Sequence, residues 1–377
     1  MATAATPSAQ PMPSRFAALS AGPARLILAL WLALCLLGLA QSIGPIGPGA
    51  ASSGSFTAAV QQPEASGDDL FLYNSIIDRL RIGDAYYPAT ATLLRDNNYP
   101  LRPFLTFRLP TLAILLAAIP GWFGTALLAA LCAATILAWT LRLGGEGVPE
   151  RPLMVASLLL LGGSITLAAP RLICFHESWA ALLIALSLAL HQPNRWGPSV
   201  GLALLALLIR ELALPFVLLM GSAALWQRRW REAAAWAATV ALFAVALALH
   251  AQAVATVVLA GDPASPGWVE PGGWARVLSA LREASLLGYL PVPTTALLVP
   301  LALLGWYARP GANAMLVALH LTGFAFMMTL LGRPQNYYWI AMIVPLFLTG
   351  LAFAPSALSH LWHAATPGRR SPLAKPG

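Results

Sequence analysis

Two adjacent carboxylates, Asp68 and Asp69, open a polar stretch that reads GDDLFLYNSIIDRLRIGDAYYPATATLLRDNNYPLRP from Gly67. One carboxylate of such a pair can take the proton of an attacking hydroxyl while the other orients it or holds a divalent cation. An aspartate ahead of a helix can also simply cap it. A cap explains one aspartate better than two. Leu70, Phe71, Ile76 and Ile77 are spaced as the apolar face of an amphipathic helix, and Tyr73 lies about one turn beyond Asp69. Asp69 is therefore the candidate general base. Asp68, further from the apolar run, is the better cap, orienting group or metal ligand.

Other polar residues interrupt apolar surroundings. His176 and Glu177 sit in the step RLICFHES, where Glu177 can line a polar cavity, ligate a cation or meet a helix N-terminus. Arg210 and Glu211 break an apolar run. They either pair with each other or offer a guanidinium to a phosphate. Arg333, in GRPQNYYW, is a second phosphate candidate or a solvated loop arginine. Tyr337, with Tyr338 and Trp339, suits an interfacial aromatic belt or the face of a sugar ring. Arg102 and Arg108 flank the start of a short apolar segment, where they suit headgroup anchors, and Arg102 is also a substrate-binding candidate. Tyr86 and Tyr87 follow Gly83 in the same polar stretch.

The elements that hold these residues must be membrane helices. The chain is 58% hydrophobic and 10% charged over 377 residues, far from the composition of a soluble protein, about a quarter of which is charged. Apolar runs fall at about 25–44, 121–141, 152–169, 178–191, 196–209, 212–226, 232–252, 287–306, 312–331 and 337–355. They predict an all-α, polytopic membrane protein of about ten transmembrane helices. Several runs are short for a crossing. Residues 1–22 read as a disordered cytoplasmic N-terminus, 23–358 as the membrane domain and 359–377 as a cytoplasmic tail. An external loop over 45–120 carries the acidic stretch, with 104–119 lying in the interface.

Charge orients the chain. The net charge is +8, but its excess lies in short loops, which marks topology rather than nucleic-acid binding. With the N-terminus inside, Arg142, Arg151, Arg195, the basic run 227–231 and Arg309 all face the cytoplasm. The candidate residues then gather on the outer face. That placement argues against a cytoplasmic nucleotide-sugar donor.

This pattern resembles the GT-C superfamily of integral membrane glycosyltransferases, in the bacterial branch of aminoarabinose and core-sugar transferases and, more distantly, protein mannosyltransferases. The likeness rests on Asp68-Asp69 with Tyr73 after the first span, on Gly83 followed by Tyr86, Tyr87 and Pro88, and on the proline-bounded stretch 100–120. Asp-Asp stands where the family commonly has Asp-Glu, so either aspartate can match its base. The resemblance implies a polyprenyl-phosphate-sugar donor, a glycan, lipid or protein acceptor, and inverting transfer at the external face of the plasma (inner) membrane. No cofactor follows beyond a candidate divalent cation. The competing expectations are a multi-span transporter or flippase, and a noncatalytic membrane subunit.

Overall fold

The computed structural model describes residues 14–43 and 69–366, and every regular element in them is helical. After a 3₁₀ turn at Arg15–Ala18 come α1 (Ala21–Ile43), α2 (Asp69–Arg81), α3 (Tyr86–Asp96) and the seven-residue α4 (Thr111–Ala117). Then follow α5 (Gly121–Gly145), α6 (Glu150–Ile165), α7 (His176–Leu190), α8 (Gly197–Ile209), α9 (Leu214–Trp226) and α10 (Trp230–Ala255). The chain continues with α11 (Gly273–Ala284), α12 (Val292–Ala308) and α13 (Ala312–Leu330). It then winds through 3₁₀ turns at Pro334–Ile343 and Leu348–Ala352, with α14 (Val344–Phe347) between them, to α15 (Ala354–Ala365). The 3₁₀ turn at Arg15–Ala18 falls within the stretch 1–22 expected to be disordered, and its Phe16 is buried.

The protein is a multi-pass membrane protein, but it does not have ten membrane-length helices. Four helices are long and apolar enough to cross a bilayer: Ala21–Ser42 of α1, α5, α10 and α13. A fifth arises if Pro334–Ala352 and Ala354–Ala365, which meet at 60°, form one broken span. The runs read as spans at 152–169, 178–191, 196–209, 212–226 and 287–306 fold as helices of 16, 15, 13, 13 and 17 residues. At 1.5 Å per residue such helices reach about 20–26 Å, short of a hydrocarbon core of about 30 Å.

Burial explains why α7 and most of α12 are apolar. Every residue of α7 from His176 to Ala189 is buried, so its hydrophobic surface meets protein on all sides. It packs against α5, α8 and the turn Pro334–Ile343. Polar hooks fix it there. Trp139 Nε1 of α5 donates to the Ala185 carbonyl at 2.8 Å, and Asn313 Nδ2 of α13 donates to the Leu188 carbonyl at 3.0 Å. In contrast, α1, α5 and α10 leave most of their surface outward, with exposed Leu30, Leu36, Leu137, Leu141, Leu242 and Leu249. That apolar face suits lipid.

Backbones also meet closely where side chains are absent. A Cβ on Gly305 of α12 would overlap the Gly350 carbonyl, and one on Gly350 would overlap the Ala302 carbonyl. Small residues at such crossings let helices approach inside a membrane.

Candidate functional site

One end of the bundle holds a cavity of about 500 Å³. Its wall combines α2, α3, the segment 99–108, the turn after α8, the loop 256–272, the end of α13 and the turn Pro334–Ile343.

Asp69 opens α2 and lines this cavity, and Tyr73, one turn on, lies on the same wall. The C-terminal turn of α3 bends back through Asn98 at φ 59°, a left-handed conformation that asparagine tolerates. That bend aims Tyr99 at α2, and the Tyr99 hydroxyl donates to Asp69 Oδ1 at 2.9 Å. A charge-assisted bond of this kind orients the carboxylate. Asp68, the other half of the pair, lies outside the described residues.

Arg108 ties the wall together. Its Nε donates to the Tyr73 hydroxyl at 2.9 Å and its Nη2 to the Tyr338 hydroxyl at 3.2 Å. Its Nη1 lies 3.8 Å from Glu211 Oε1, and its own carbonyl accepts from the Tyr86 hydroxyl at 2.7 Å. Burial pushes the Tyr73 phenol well above its ordinary range, with Asp69 acting in the same direction and Arg108 opposing. Burial likewise raises Tyr86. Both phenols stay neutral, with the Tyr86 hydroxyl donating to the Arg108 carbonyl and the Tyr73 hydroxyl accepting from Arg108 Nε.

Arg333 also faces the cavity. Its backbone N–H donates to Asn336 Oδ1 at 3.1 Å, and the Asn336 N–H donates to its carbonyl at 2.8 Å. Its guanidinium meets no hydrogen-bond or ionic partner among the described residues, and Nε is buried. The preceding Gly332, at φ 95°, donates its N–H to the Trp268 carbonyl. Trp268 thereby joins the same wall from the loop 256–272. That loop is held at its other end by Asp262, which receives Arg95 at 2.8 and 2.7 Å.

Beneath the wall lies a buried charge network. Arg210 Nε is 2.6 Å from Glu177 Oε1, and both side chains are fully buried. Their approach is ionic and lacks hydrogen-bond alignment, so the Glu177 oxygens keep unmet capacity. Arg210 also pairs with Glu211. On a regular helix these neighbours would point about 100° apart. Arg210 instead adopts an extended conformation, φ −145° and ψ 115°, which lets both carboxylates reach it. His176 packs edge-on against Tyr73 at 5.0 Å, with both ring nitrogens buried and without a hydrogen bond.

Asp69, Tyr73, Tyr86, Glu211 and Arg333 thus meet at the cavity, with His176, Glu177 and Arg210 behind it. Three candidates lie elsewhere. The Tyr87 hydroxyl is 3.1 Å from His250 Nδ1, and Arg102 donates to the Asp262 carbonyl at 2.9 Å. Tyr337 packs edge-on against Tyr338, which does line the cavity together with Trp339. Sequence reasoning missed Tyr99 and Trp268 and gave Arg108 only a headgroup role. The one signal for Arg108 was its charge near the start of the short apolar segment 104–119. Among the described residues no group of three or more His, Cys, Asp or Glu side chains is placed to hold a metal ion. Comparison with family models, with characterised proteins and with solved structures finds no match to this chain.

Proposed function

We propose that this chain is a glycosyltransferase that moves a sugar from a polyprenyl-phosphate donor to a hydroxyl of a glycan, lipid or protein. The observation that carries this is the pairing of opposite chemistries in one cavity. Asp69, oriented by Tyr99, shares the space with Arg333, whose guanidinium has no partner among the described residues. The cavity's volume of about 500 Å³ is of the size that small-molecule sites have.

In this mechanism Asp69 accepts the proton of the acceptor hydroxyl as its oxygen attacks the anomeric carbon. The bond from that carbon to the donor's phosphate oxygen breaks, and its electron pair leaves on the phosphate. Arg333 meets the growing negative charge. Attack opposite the leaving group inverts the anomeric centre. Tyr338, Trp339 and Trp268 supply aromatic faces for the sugar. The donor's lipid tail stays among the apolar helices, so its burial contributes binding away from the reacting atoms.

The proposed site faces the outside of the plasma (inner) membrane. Arg142, Glu146 and Arg309 meet at the opposite end, where α5, α7 and α12 finish, as the positive-inside rule requires of a cytoplasmic end.

The test uses purified protein in nanodiscs and a panel of labelled polyprenyl-phosphate sugars. D69N keeps an acceptor for Tyr99 but removes the base, so turnover should fall by about 10²–10⁴-fold while donor binding persists. R333Q should weaken donor binding. Wild-type turnover in both variants would reject the proposal, and transmembrane movement of the intact donor without sugar transfer would favour a transporter.

A further inference from the structure

The hairpin between α9 and α10, at the end of the bundle away from the cavity, reads Trp226-Gln-Arg-Arg-Trp-Arg231. Trp226 is 90% exposed and Trp230 66% exposed. Arg228 and Arg231, between and beside them, are exposed and have no ionic or hydrogen-bond partner through their guanidinium groups among the described residues.

The turn is built to hold that arrangement. The Arg229 N–H donates to the Ala224 carbonyl and the Arg228 N–H to the Leu225 carbonyl, each at 2.9 Å. This is the Schellman closure of a helix, whose left-handed residue is usually glycine. Here that residue is Arg228, at φ 55°. A charged side chain thus occupies a conformation that disfavours it. Beneath, Glu232 accepts from Trp236 Nε1 at 3.1 Å, lies 2.9 Å from His191 Nε2 and pairs with Arg229. Glu232 is spent on that brace, so it does not neutralise Arg228 or Arg231. The brace also ties in the loop that carries exposed Arg195, four residues beyond His191.

We infer that this hairpin is a binding site for the headgroup of an anionic phospholipid. The occupant follows from position and charge. α10 is one of the four membrane-length helices, so the turn at its start lies where the bilayer meets water. Tryptophans settle at that depth, and unpaired arginines there attract phosphate-bearing, negatively charged headgroups. Two exposed indoles flank the cations and enter the acyl boundary while the guanidinium groups stay at headgroup level.

The full-length protein is reconstituted in nanodiscs of phosphatidylcholine, or of phosphatidylcholine doped with phosphatidylglycerol, and its melting midpoint is measured. The wild type should melt higher with phosphatidylglycerol. R228G should raise the midpoint in phosphatidylcholine alone, because glycine relieves the left-handed strain, yet lose much of the phosphatidylglycerol increment. Adding R231Q should remove most of what remains. R151Q alters another exposed arginine with no partner among the described residues, at the start of α6, and should keep the increment. A full increment in R228G/R231Q, no increment in the wild type, or an equal loss in R151Q would each overturn the inference.

Discussion

Replacing Glu177 with glutamine keeps the side chain's size and removes one charge from a set of four. Glu177 and Glu211 supply two negative charges, and Arg108 and Arg210 two positive ones. Glu177 and Arg210 are fully buried, whereas the Glu211 side chain is 25% exposed and borders the cavity. Deleting one partner of a buried pair typically costs about 3–5 kcal/mol, because the other charge is left uncompensated. Arg210 retains Glu211 in E177Q, so that loss should lie near the lower end, about 3 kcal/mol. R210M strands Glu177 without its contacting cation and should lie near the upper end, about 5 kcal/mol. The double variant E177Q/R210M leaves Glu211 with Arg108 and restores neutrality, so it should be more stable than R210M alone. Chemical unfolding in mixed micelles, followed by tryptophan fluorescence, measures all three. Additive losses in the double variant would refute the network. So would R210A that keeps full stability and loses only donor binding, since Arg210 would then be facing ligand.

Two further expectations concern pH. The hydrogen bonds from Arg95 and from the Leu259 N–H hold the Asp262 carboxyl at about 2, below its ordinary 3.8. A depressed carboxyl contributes stability above its unfolded value and loses it as pH falls through the folded one, so the latch on loop 256–272 should open only between about pH 4 and pH 2. D262N should open it at neutral pH, seen as faster hydrogen exchange at the Leu259 amide; unchanged protection there would count against the latch. Burial raises Glu283 to about 7 from an ordinary 4.5, with Arg282 opposing. Its stabilising contribution is complete below the unfolded value and is lost as pH rises through the folded one, so the melting midpoint should drop between about pH 5 and pH 8. E283Q should flatten that drop, and an identical slope in E283Q would show that another group is responsible.

Polar residues in an apolar chain were conspicuous enough to point toward the site. Asp69, Tyr73 and Arg333 stand out because lipid gives them no partner, and they meet at one cavity. Tyr99 and Trp268 were illegible for a different reason. Tyr99 reaches Asp69 only because the chain reverses at Asn98, and Trp268 arrives by pairing with Gly332 far along the chain. No local periodicity records either event. The helix count failed at α6, α7, α8, α9 and α12, because an apolar run is the same string whether or not it is long enough to cross. Length alone separates the two cases, and these runs are short.

The fully enclosed α7 bears on how the protein is assembled. A 15-residue helix that is enclosed by protein and opens with His176 and Glu177 is a poor solitary guest in a membrane. Its native surroundings include α8, which follows it within a few residues, and α13, which is synthesised more than a hundred residues later. During biogenesis α7 must therefore wait, held by its earlier neighbours α5 and α8, until the C-terminal helices arrive. The Asn313 amide that then caps the Leu188 carbonyl marks the closing of that vault, and Arg333 and Tyr338 reach the cavity only from the chain made afterwards.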